Sequence, residues 1–364
     1  MAEPALAERV MREVYGDWSQ EGWQPRPMPA SEAGEGAGGQ RRYLWTDAFG
    51  VLNFVSLAAR AGEAPEAQRH LAAASGLVAA VHGCLGAPRS QEFPMRPAAD
   101  GGFEGLRIGK ERARQVSDPG MSFDGMYWHY LDKWVFALAR YARAANDAAA
   151  VRRGLRLVRQ IHPRFLQRNA RGEPQGLLWK TNVDLTAIPG RERTGPNGDA
   201  VAGLVAYTAL ERAREALGVS DAGTLESEIA DLTSVVRRYV AMGGFETVTD
   251  DPLGFGLQLW ESRFFEPRLV GDLRGAAAEA AGSALHLQHF ALPFRLYGGI
   301  IGARLSGDAM LEGRAEEILA RVQAEEVQTS VGETPHSTIN KVMFATALDP
   351  SALRRRPDEE PAGL

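Results

Sequence analysis

The sequence has one cysteine, Cys84, among its 364 residues. A lone cysteine excludes an intramolecular disulfide framework and any multi-cysteine zinc or iron–sulfur site, and it fits a reducing compartment. The sequence also has no large excess of charge of either sign, because it contains 41 Lys and Arg and 46 Asp and Glu, which gives a formal net charge of −5. The basic field used by nucleic-acid binders and by binders of anionic membranes is therefore absent. We predict that neither nucleic acid nor a membrane is a partner.

Long hydrophobic runs are scarce. The first 18 residues mix acidic, basic and apolar side chains, with no basic start followed by an apolar run, so no secretory signal is predicted. The uncharged stretch 71–88 is as long as a short membrane span, but Ala and Gly dominate it and it contains Ser75 and His82. That composition is typical of a buried helix in a soluble protein. We therefore predict a cytoplasmic location.

Helical periodicity dominates the rest of the chain. Segments with one apolar stripe, such as Val151, Leu155 and Val158, alternate with segments that are apolar on nearly every side, such as residues 43–59. Helices are predicted over 43–60, 66–85, 125–146, 148–168, 199–217, 224–241, 283–305 and 309–327. A helix that is apolar all round must be covered by its neighbours. The alternation therefore predicts an all-α ring of five to six helical hairpins, with the covered helices inside.

The predicted domain organisation has one main domain. Residues 1–24 form an N-terminal helix that closes the ring together with a last covered helix over 337–348, and a short inner helix is expected near 253–265. Residues 25–40 are a linker by their Pro and Gly content, 41–350 form the ring, and 351–364 are a mobile tail.

Polar side chains concentrate at the N-terminal ends of the covered helices. If these helices run parallel around a ring, the ends open on one mouth, together with the long loops 87–123, 168–198 and 243–253. This arrangement predicts an active-site mouth there. The residues concerned are Thr46, Asp47, His129, Tyr130, Lys133, Asp199, His286, His289 and His336.

Four acidic residues have aromatic neighbours in the sequence: Asp47, Asp124, Asp184 and Glu261. Glycoside hydrolysis needs two carboxyl groups, and aromatic faces can pack on a sugar ring. Asp47, Asp124 and Glu261 are thus candidate catalytic groups, and Asp184 is a candidate substrate ligand. The alternative for Asp47 and Asp124 is helix capping, and the helix dipole would lower the pKa of either one, which suits a base. Glu261, desolvated by its aromatic neighbours, would be the acid.

Histidines offer a second chemistry. His129 is a candidate general base, because its ordinary pKa lies near neutrality, and the alternative is a hydrogen-bonded core histidine. His286 and His289 are three residues apart and share a helix face, but no third metal ligand follows from the local sequence. We therefore assign them and His336 to substrate binding and predict neither a metal nor another cofactor.

Further candidate substrate-binding residues flank these positions. Arg107 and Lys110 could bind an anionic substituent, or could serve surface salt bridges instead. The large aromatic residues could belong to the core instead. The remaining candidates are Trp45, Tyr127, Tyr130, Lys133, Trp179 and Lys180.

Four segments carry a family resemblance: YLWTDAFG at 43–50, GLRIGK at 105–110, DGMYWHYLDKW at 124–134 and LWKTNVD at 178–184. They resemble a bacterial family of largely uncharacterised proteins described as six-hairpin-glycosidase-like, over roughly residues 40–300. The resemblance implies an (α/α) toroid related in shape to glucoamylase-type and unsaturated-glucuronyl-type hydrolases. It implies no particular activity. This chain has Met126, Trp128 and Asp132 where the family more often has other residues.

The function that fits best is a carbohydrate-active enzyme, most simply a glycoside hydrolase that uses two carboxylates in a central cavity. Its partner would be a small sugar or oligosaccharide, and the oligomeric state stays open. One alternative is a sugar epimerase or isomerase that uses His129 with His286 or His289. A terpene cyclase is less well supported, because the chain lacks aspartate-rich motifs. A non-catalytic carbohydrate-binding protein also fits, because toroids host many functions.

Overall fold

Helices account for nearly all regular structure in the computed structural model, which describes residues 3–36, 39–90, 93–112, 123–190, 198–245, 248–267, 271, 273–285, 292–326, 337–359 and 361. Twelve α-helices lie in these ranges. They are α1 (Glu3–Tyr15), α2 (Leu44–Arg60), α3 (Ala64–Leu85), α4 (Trp128–Ala145), α5 (Ala148–Phe165), α6 (Gly198–Ala216), α7 (Glu226–Ala241), α8 (Pro252–Ser262), α9 (Leu273–Ala284), α10 (Pro293–Leu305), α11 (Ala309–Glu326) and α12 (Ser337–Leu348).

The chain divides into two compact units. The larger comprises residues 15–236, and the smaller comprises residues 1–14 and 237–364. In the larger unit α4 packs against α2, α5 and α6, and α2 also packs against α3. In the smaller unit α10 packs against α8, α11 and α12. Each unit thus has a central helix with neighbours on several sides.

The predicted alternation of covered and amphipathic helices matches the burial in the structure. Every residue of α2 from Leu44 to Leu57 is buried, and so is every residue of α4 from Leu131 to Ala142. By contrast, α5 buries a stripe that includes Val151, Leu155 and Val158 and exposes its opposite face. The apolar periodicity therefore separates the inner helices from the outer ones correctly.

The predicted helix over 283–305 is confirmed only from Pro293 onward, and its residues 286–291 lie outside the described residues. A separate helix, α9, ends at Ala284, and α10 begins only at Pro293. Proline lacks the amide hydrogen that a helix interior needs, and it forces the preceding residue into an extended conformation. Leu292 has φ −140° and ψ 76°, and Pro293 occupies the first turn. The composition of α9, rich in Ala and Gly, offers only a weak apolar stripe and was not predicted as a helix.

Short strands order the loops around the start of α4. Strand β1 (Met126–Tyr127) pairs antiparallel with β4 (Lys180–Thr181), and β2 (Leu166–Arg168) pairs with β3 (Pro174–Leu177). The β1–β4 register places Tyr127 opposite Lys180. This pairing brings the 178–184 segment to the N-terminal end of α4.

The stretch predicted as a linker is packed in the part that is described. Met28 and Ala33 are buried, the amide of Met28 donates to the carbonyl of Arg41 at 2.8 Å, and the amide of Gly34 donates to Gly109 O at 2.9 Å. No helix in the described part of the chain combines the length and the hydropathy needed to cross a membrane.

Candidate functional site

The N-terminal ends of α2 and α4 meet in the 15–236 unit. The amide of Leu44 donates to Ile108 O at 3.0 Å, and the amide of Ile108 donates to Gly125 O at 2.8 Å. The amide of Trp128 donates to Trp179 O at 3.1 Å. These bonds connect the 106–110 loop to the start of α2 and to the segment that precedes α4, and they connect Trp179, which precedes β4, to the start of α4. The convergence predicted for these two helix ends is therefore present.

Six rings gather at this point, and we refer to them as the aromatic cluster: Tyr43, Trp45, Tyr127, His129, Tyr130 and Trp179. The ring of Tyr127 stacks on those of His129 and Trp179, with centroids 5.1 Å away in both cases. The planes of His129 and Trp179 lie within 6° of each other. The ring of Tyr130 meets that of Tyr127 edge-on at 5.2 Å, and its hydroxyl lies 2.9 Å from the Tyr43 hydroxyl.

Exposure differs sharply within the aromatic cluster. Trp179 is 40% exposed, whereas Tyr127 beneath it is 4% exposed and Trp45 only 2%. Apolar side chains of this size usually lose most of their accessible area on folding. An indole held against a buried tyrosine with its own surface open to solvent provides a flat platform for a ligand.

Two polar atoms in the aromatic cluster are buried without a hydrogen-bond partner among the described residues. They are Trp45 Nε1 and His129 Nδ1, and the two rings lie 6.2 Å apart between centroids. Buried polar atoms are nearly always paired in native proteins, because leaving one unpaired costs free energy. Burial, followed by the charges of Lys133 and Lys110, lowers the pKa of His129 to about 3. The imidazole is thus neutral near pH 7.

Two lysines border the aromatic cluster. The ammonium of Lys110 donates to the Tyr127 hydroxyl at 3.4 Å, and that of Lys180 donates to the carbonyl of Phe123. They lie 5.1 and 4.7 Å from the centre of the Tyr127 ring, respectively. The pKa of Lys180 is lowered to about 7, chiefly by burial and then by the charge of Lys110, while Asp124 opposes the shift. Lys133 is buried and paired with Asp132 at 2.8 Å.

Asp124 organises the loop that carries Lys110. Its Oδ1 accepts hydrogen bonds from the amides of Gly109 at 2.9 Å and Gly125 at 3.1 Å. Its Oδ2 accepts from Arg107 at 3.0 Å, and Arg107 also donates to Cys84 O at 2.8 Å. The capping alternative for Asp124 is wrong, because α4 begins four residues later, at Trp128. Both charged groups are fully buried.

Asp47 lies in the first turn of α2 but does not cap it. Its Oδ1 accepts from the Tyr15 hydroxyl at 3.1 Å and from Arg42 at 3.4 Å, while Oδ2 is buried with no partner among the described residues. Burial is the largest influence and raises the pKa of Asp47 to about 6, against the lowering effects of Arg42 and Tyr15. The expectation of a lowered pKa for Asp47 is therefore wrong, because desolvation outweighs the helix dipole and the ion pair.

Three of the remaining predicted residues, Asp184, Asp199 and Glu261, are described and are not members of the aromatic cluster. Asp184 accepts from the amide and the hydroxyl of Thr186, at 3.0 and 2.6 Å, and so closes a turn. The Asp199 carbonyl accepts from Trp128 Nε1 at 2.8 Å. Glu261 is buried on α8 in the smaller unit. His286, His289 and His336 lie outside the described residues.

Tyr43 is a site residue that the sequence analysis did not single out. It precedes α2, and its hydroxyl and ring both contact Tyr130. The sequence feature that could have indicated Tyr43 as a site residue is its position two residues before Trp45, at the start of a covered helix. Tyrosine at such a position also suits the core, which is why sequence alone did not distinguish it.

Comparison with known proteins gives the fold. Neither a protein-family model nor a curated protein sequence matches this chain. Three solved structures superpose over 96% of it. One is a cellobiose 2-epimerase from Spirochaeta thermophila DSM 6192, with a TM-score of 0.53, 12% identity and 97% of that chain covered. The others are an inactive variant of the α-1,6-mannanase GH76A of Salegentibacter sp. HEL1_6 in complex with α-1,6-mannotriose, with a TM-score of 0.54, 11% identity and 99% of that chain covered, and a family 76 glycoside hydrolase from a bovine Bacteroides thetaiotaomicron strain, with a TM-score of 0.56, 10% identity and 78% of that chain covered.

At such low identity these likenesses show the fold alone. The chain has the all-α (α/α) toroid fold that these enzymes share. The predicted fold class and the six-hairpin-glycosidase-like resemblance are confirmed at that level.

Proposed function

We propose that this chain, an (α/α) toroid, is a carbohydrate-active enzyme whose sugar substrate binds at the aromatic cluster. The observation that carries the proposal is a pair of buried polar atoms, Trp45 Nε1 and His129 Nδ1, which have no hydrogen-bond partner in the part of the chain that the structure describes and lie in the same cluster as the exposed Trp179. A sugar hydroxyl both donates and accepts, so it can accept from an indole N–H and donate to an unprotonated imidazole nitrogen. The apolar face of a sugar ring can pack on Trp179.

The shared fold supports the same substrate class. Two of the similar structures are named as a cellobiose 2-epimerase and an α-1,6-mannanase, both of which act on sugars by name. Folds host many activities, so the argument depends on the side chains of the aromatic cluster.

Within this class we propose proton transfer, as in a sugar epimerase or isomerase, with His129 as the general base. His129 would take a proton from the carbon next to the sugar carbonyl, and the electron pair of that C–H bond would move into an enediolate. The ammonium of Lys180 would return a proton to the opposite face of that carbon, which completes an epimerisation, and His129 would pass its proton to water while Lys180 takes one up. A neutral imidazole can accept the proton, and the developing anion would raise its low pKa toward the working range. Lys180, with a pKa of about 7, can donate or accept a proton near neutrality.

Hydrolysis by two carboxylates is the second candidate. The raised pKa of Asp47, about 6, favours this candidate because a catalytic acid must hold a proton near neutral pH, and Asp47 Oδ2 has no hydrogen-bond partner among the described residues. Against it, Asp47 and Asp124 are both fully buried and paired with Arg42 and Arg107, respectively. Those ion pairs suit a structural role better than contact with a sugar.

Proton NMR in D₂O distinguishes the two reactions. Epimerisation replaces a carbon-bound hydrogen of the sugar with deuterium and releases no new reducing end, whereas hydrolysis releases reducing ends without exchange. We expect exchange in a cellobiose and manno-oligosaccharide panel, and we expect the substitution His129→Phe to slow it by about 100-fold or more. Because phenylalanine keeps a flat ring in the cluster, sugar affinity should change far less than turnover.

Three other results would contradict parts of this proposal. Release of reducing ends that is lost in Asp47→Asn or Glu261→Gln would replace proton transfer with hydrolysis. Sugar binding without either reaction would indicate a non-catalytic carbohydrate-binding protein. Sugar affinity that is unchanged by Trp179→Ala would remove the aromatic cluster as the binding site.

A further inference from the structure

A second cavity, of about 160 Å³, lies in the 15–236 unit among residues of α3, α5 and the loop that precedes β1. None of its lining residues belongs to the aromatic cluster. Its polar lining consists of His82, Asp100, Arg153, Arg156 and Gln160, and an exposed aromatic side chain, Phe103, lies at its edge. No motif in the sequence pointed to this cavity.

Positive charge in the cavity exceeds negative charge. Asp100 is the one acidic residue of the lining, and its Oδ2 is paired with Arg156 at 2.8 Å. Its Oδ1 accepts from the amide of Gly102 at 3.2 Å. Arg153 is half-buried and has no hydrogen bond or ion pair with any of the residues that the structure describes. An arginine whose guanidinium charge is balanced by no carboxylate among the described residues can bind an anion.

The other polar groups offer donors as well. Gln160 Oε1 accepts from the amide of Gly105 at 3.2 Å, so its NH₂ group is the part left for a ligand. His82 Nε2 lies 3.1 Å from Trp134 Nε1, which can only donate, so a neutral His82 carries its hydrogen on Nδ1. Burial, then the charges of Arg153 and Arg156, lower the pKa of His82 to about 3. The positive charges of Arg153 and Arg156 thus act on a side chain that lines the cavity.

We propose that this cavity binds the phosphate group of a small molecule, with Arg153, Gln160 and His82 as hydrogen-bond donors to its oxygens. Charge-assisted bonds from arginine to phosphate are among the strongest hydrogen bonds in proteins. Three separate donor side chains suit a tetrahedral oxyanion better than a carboxylate, which has two oxygens. The phosphate can come from inorganic phosphate or from an ester whose organic part covers Phe103, which is 36% exposed.

Isothermal titration calorimetry at constant ionic strength tests the proposal, with inorganic phosphate, glucose 6-phosphate and acetate as probes. We expect one saturable phosphate site per chain and affinity reduced by about tenfold or more in Arg153→Met. The matched control is Arg152→Met at the adjacent position. Arg152 is exposed and paired with Asp221 at 2.9 Å, so this change removes the same charge outside the cavity. It should leave affinity within about twofold.

A second variant tests the site without removing a cation. Gln160→Glu keeps an oxygen acceptor for the Gly105 amide but replaces the donor NH₂ with a carboxylate oxygen, so it should abolish phosphate binding while the protein stays folded by circular dichroism. Tighter binding of glucose 6-phosphate assigns the site to an ester, and equal binding assigns it to free phosphate. No saturable binding by the wild type, equal loss in Arg152→Met and Arg153→Met, full affinity in Gln160→Glu, or acetate bound as tightly as phosphate would each overturn the proposal.

Discussion

Three side chains of the 15–236 unit, His129, Lys180 and Asp47, have pKa values that differ from those they have in water. His129 is neutral because its charged form would be desolvated, and Lys180 is close to half-protonated at neutral pH for the same reason, with Lys110 adding repulsion. Asp47 is shifted in the opposite direction, toward its protonated and neutral form. In all three cases burial is the largest cause, and it favours the uncharged form. Burial therefore brings the pKa values of Lys180 and Asp47 closer to neutrality and moves that of His129 away from it.

The lowered pKa of Lys180 predicts a pH dependence of stability. Its pKa is 10.5 ordinarily and about 7 in the folded protein. Between these values the unfolded chain binds more protons than the folded one, so the free energy of unfolding should increase as the pH rises from about 7 toward 10. Below about pH 7 both states are protonated and this contribution to the pH dependence vanishes.

Urea denaturation at several pH values checks this prediction. The substitution Lys180→Met should remove the increase above neutral pH. Lys341→Met is the control, because Lys341 is 37% exposed and ion-paired with Glu13, and it should leave the increase in place. An unchanged pH dependence in Lys180→Met would mean that this ammonium titrates normally in the folded protein.

Helices α8 and α10 are in backbone contact at glycine residues. A Cβ on Gly256 would overlap the carbonyl of Gly298, and a Cβ on Gly302 would overlap the backbone of Gly256. Both overlaps involve backbone atoms, which cannot rotate away. The absence of side chains at these positions therefore allows the two helix backbones to come into contact.

This contact predicts opposite effects for two alanine substitutions on neighbouring helices. Gly302→Ala should lower the free energy of unfolding by about 1–3 kcal/mol, because overpacking forces α8 and α10 apart. Gly313→Ala on α11, where an added Cβ meets no atom within 4 Å, should raise it by up to about 1 kcal/mol through helix propensity. Thermal unfolding of both variants measures the difference. Equal effects would show that the glycine contact does not determine the spacing of α8 and α10.

For the whole molecule, ligand binding is the property that identifies the substrate class. A ligand that binds only the folded chain stabilises it by RT ln(1 + [L]/Kd), about 2.7 kcal/mol at a hundred times Kd. Neutral, uronic and phosphorylated sugars differ in charge but share the ring that would pack on Trp179. A thermal-shift screen of these three groups therefore samples both proposed sites at once.

The screen should give a pattern that separates the sites. We expect the increase in melting temperature with neutral sugars to be lost in Trp179→Ala and retained in Met242→Ala, a control at an exposed position (72% exposed). A shift with sugar phosphates that persists in Trp179→Ala and disappears in Arg153→Met belongs to the second cavity. Neutral sugars that stabilise Trp179→Ala as much as the wild type would contradict binding at the aromatic cluster.

Much of the fold could be predicted from the sequence, because helix periodicity is local. The residues of α2 and α4 are apolar on nearly every side, so their coverage by neighbours follows without knowledge of which neighbours these are. The break before α10 was also present in the sequence, at Pro293, but the apolar run on both sides masked it. The cytoplasmic location and the boundaries of the linker and tail stay predictions.

The site was predicted only in outline. Sequence placed His129, Tyr130 and Lys133 at one helix start, because residues three and four apart share a face. It could not show that Arg42 and Arg107 would neutralise Asp47 and Asp124, since ion pairing depends on where the loops return.

Local pattern thus determined which segments are helices and which of them are buried. Tertiary structure alone decided that Trp179, 52 residues after Tyr127, would stack on it, and that Arg153 would have no acidic partner among the described residues. The physical reason is the separation along the chain of the residues that interact. Helix periodicity is set by neighbours a few residues apart, whereas stacking, desolvation and ion pairing depend on distances that exist only once the chain has folded.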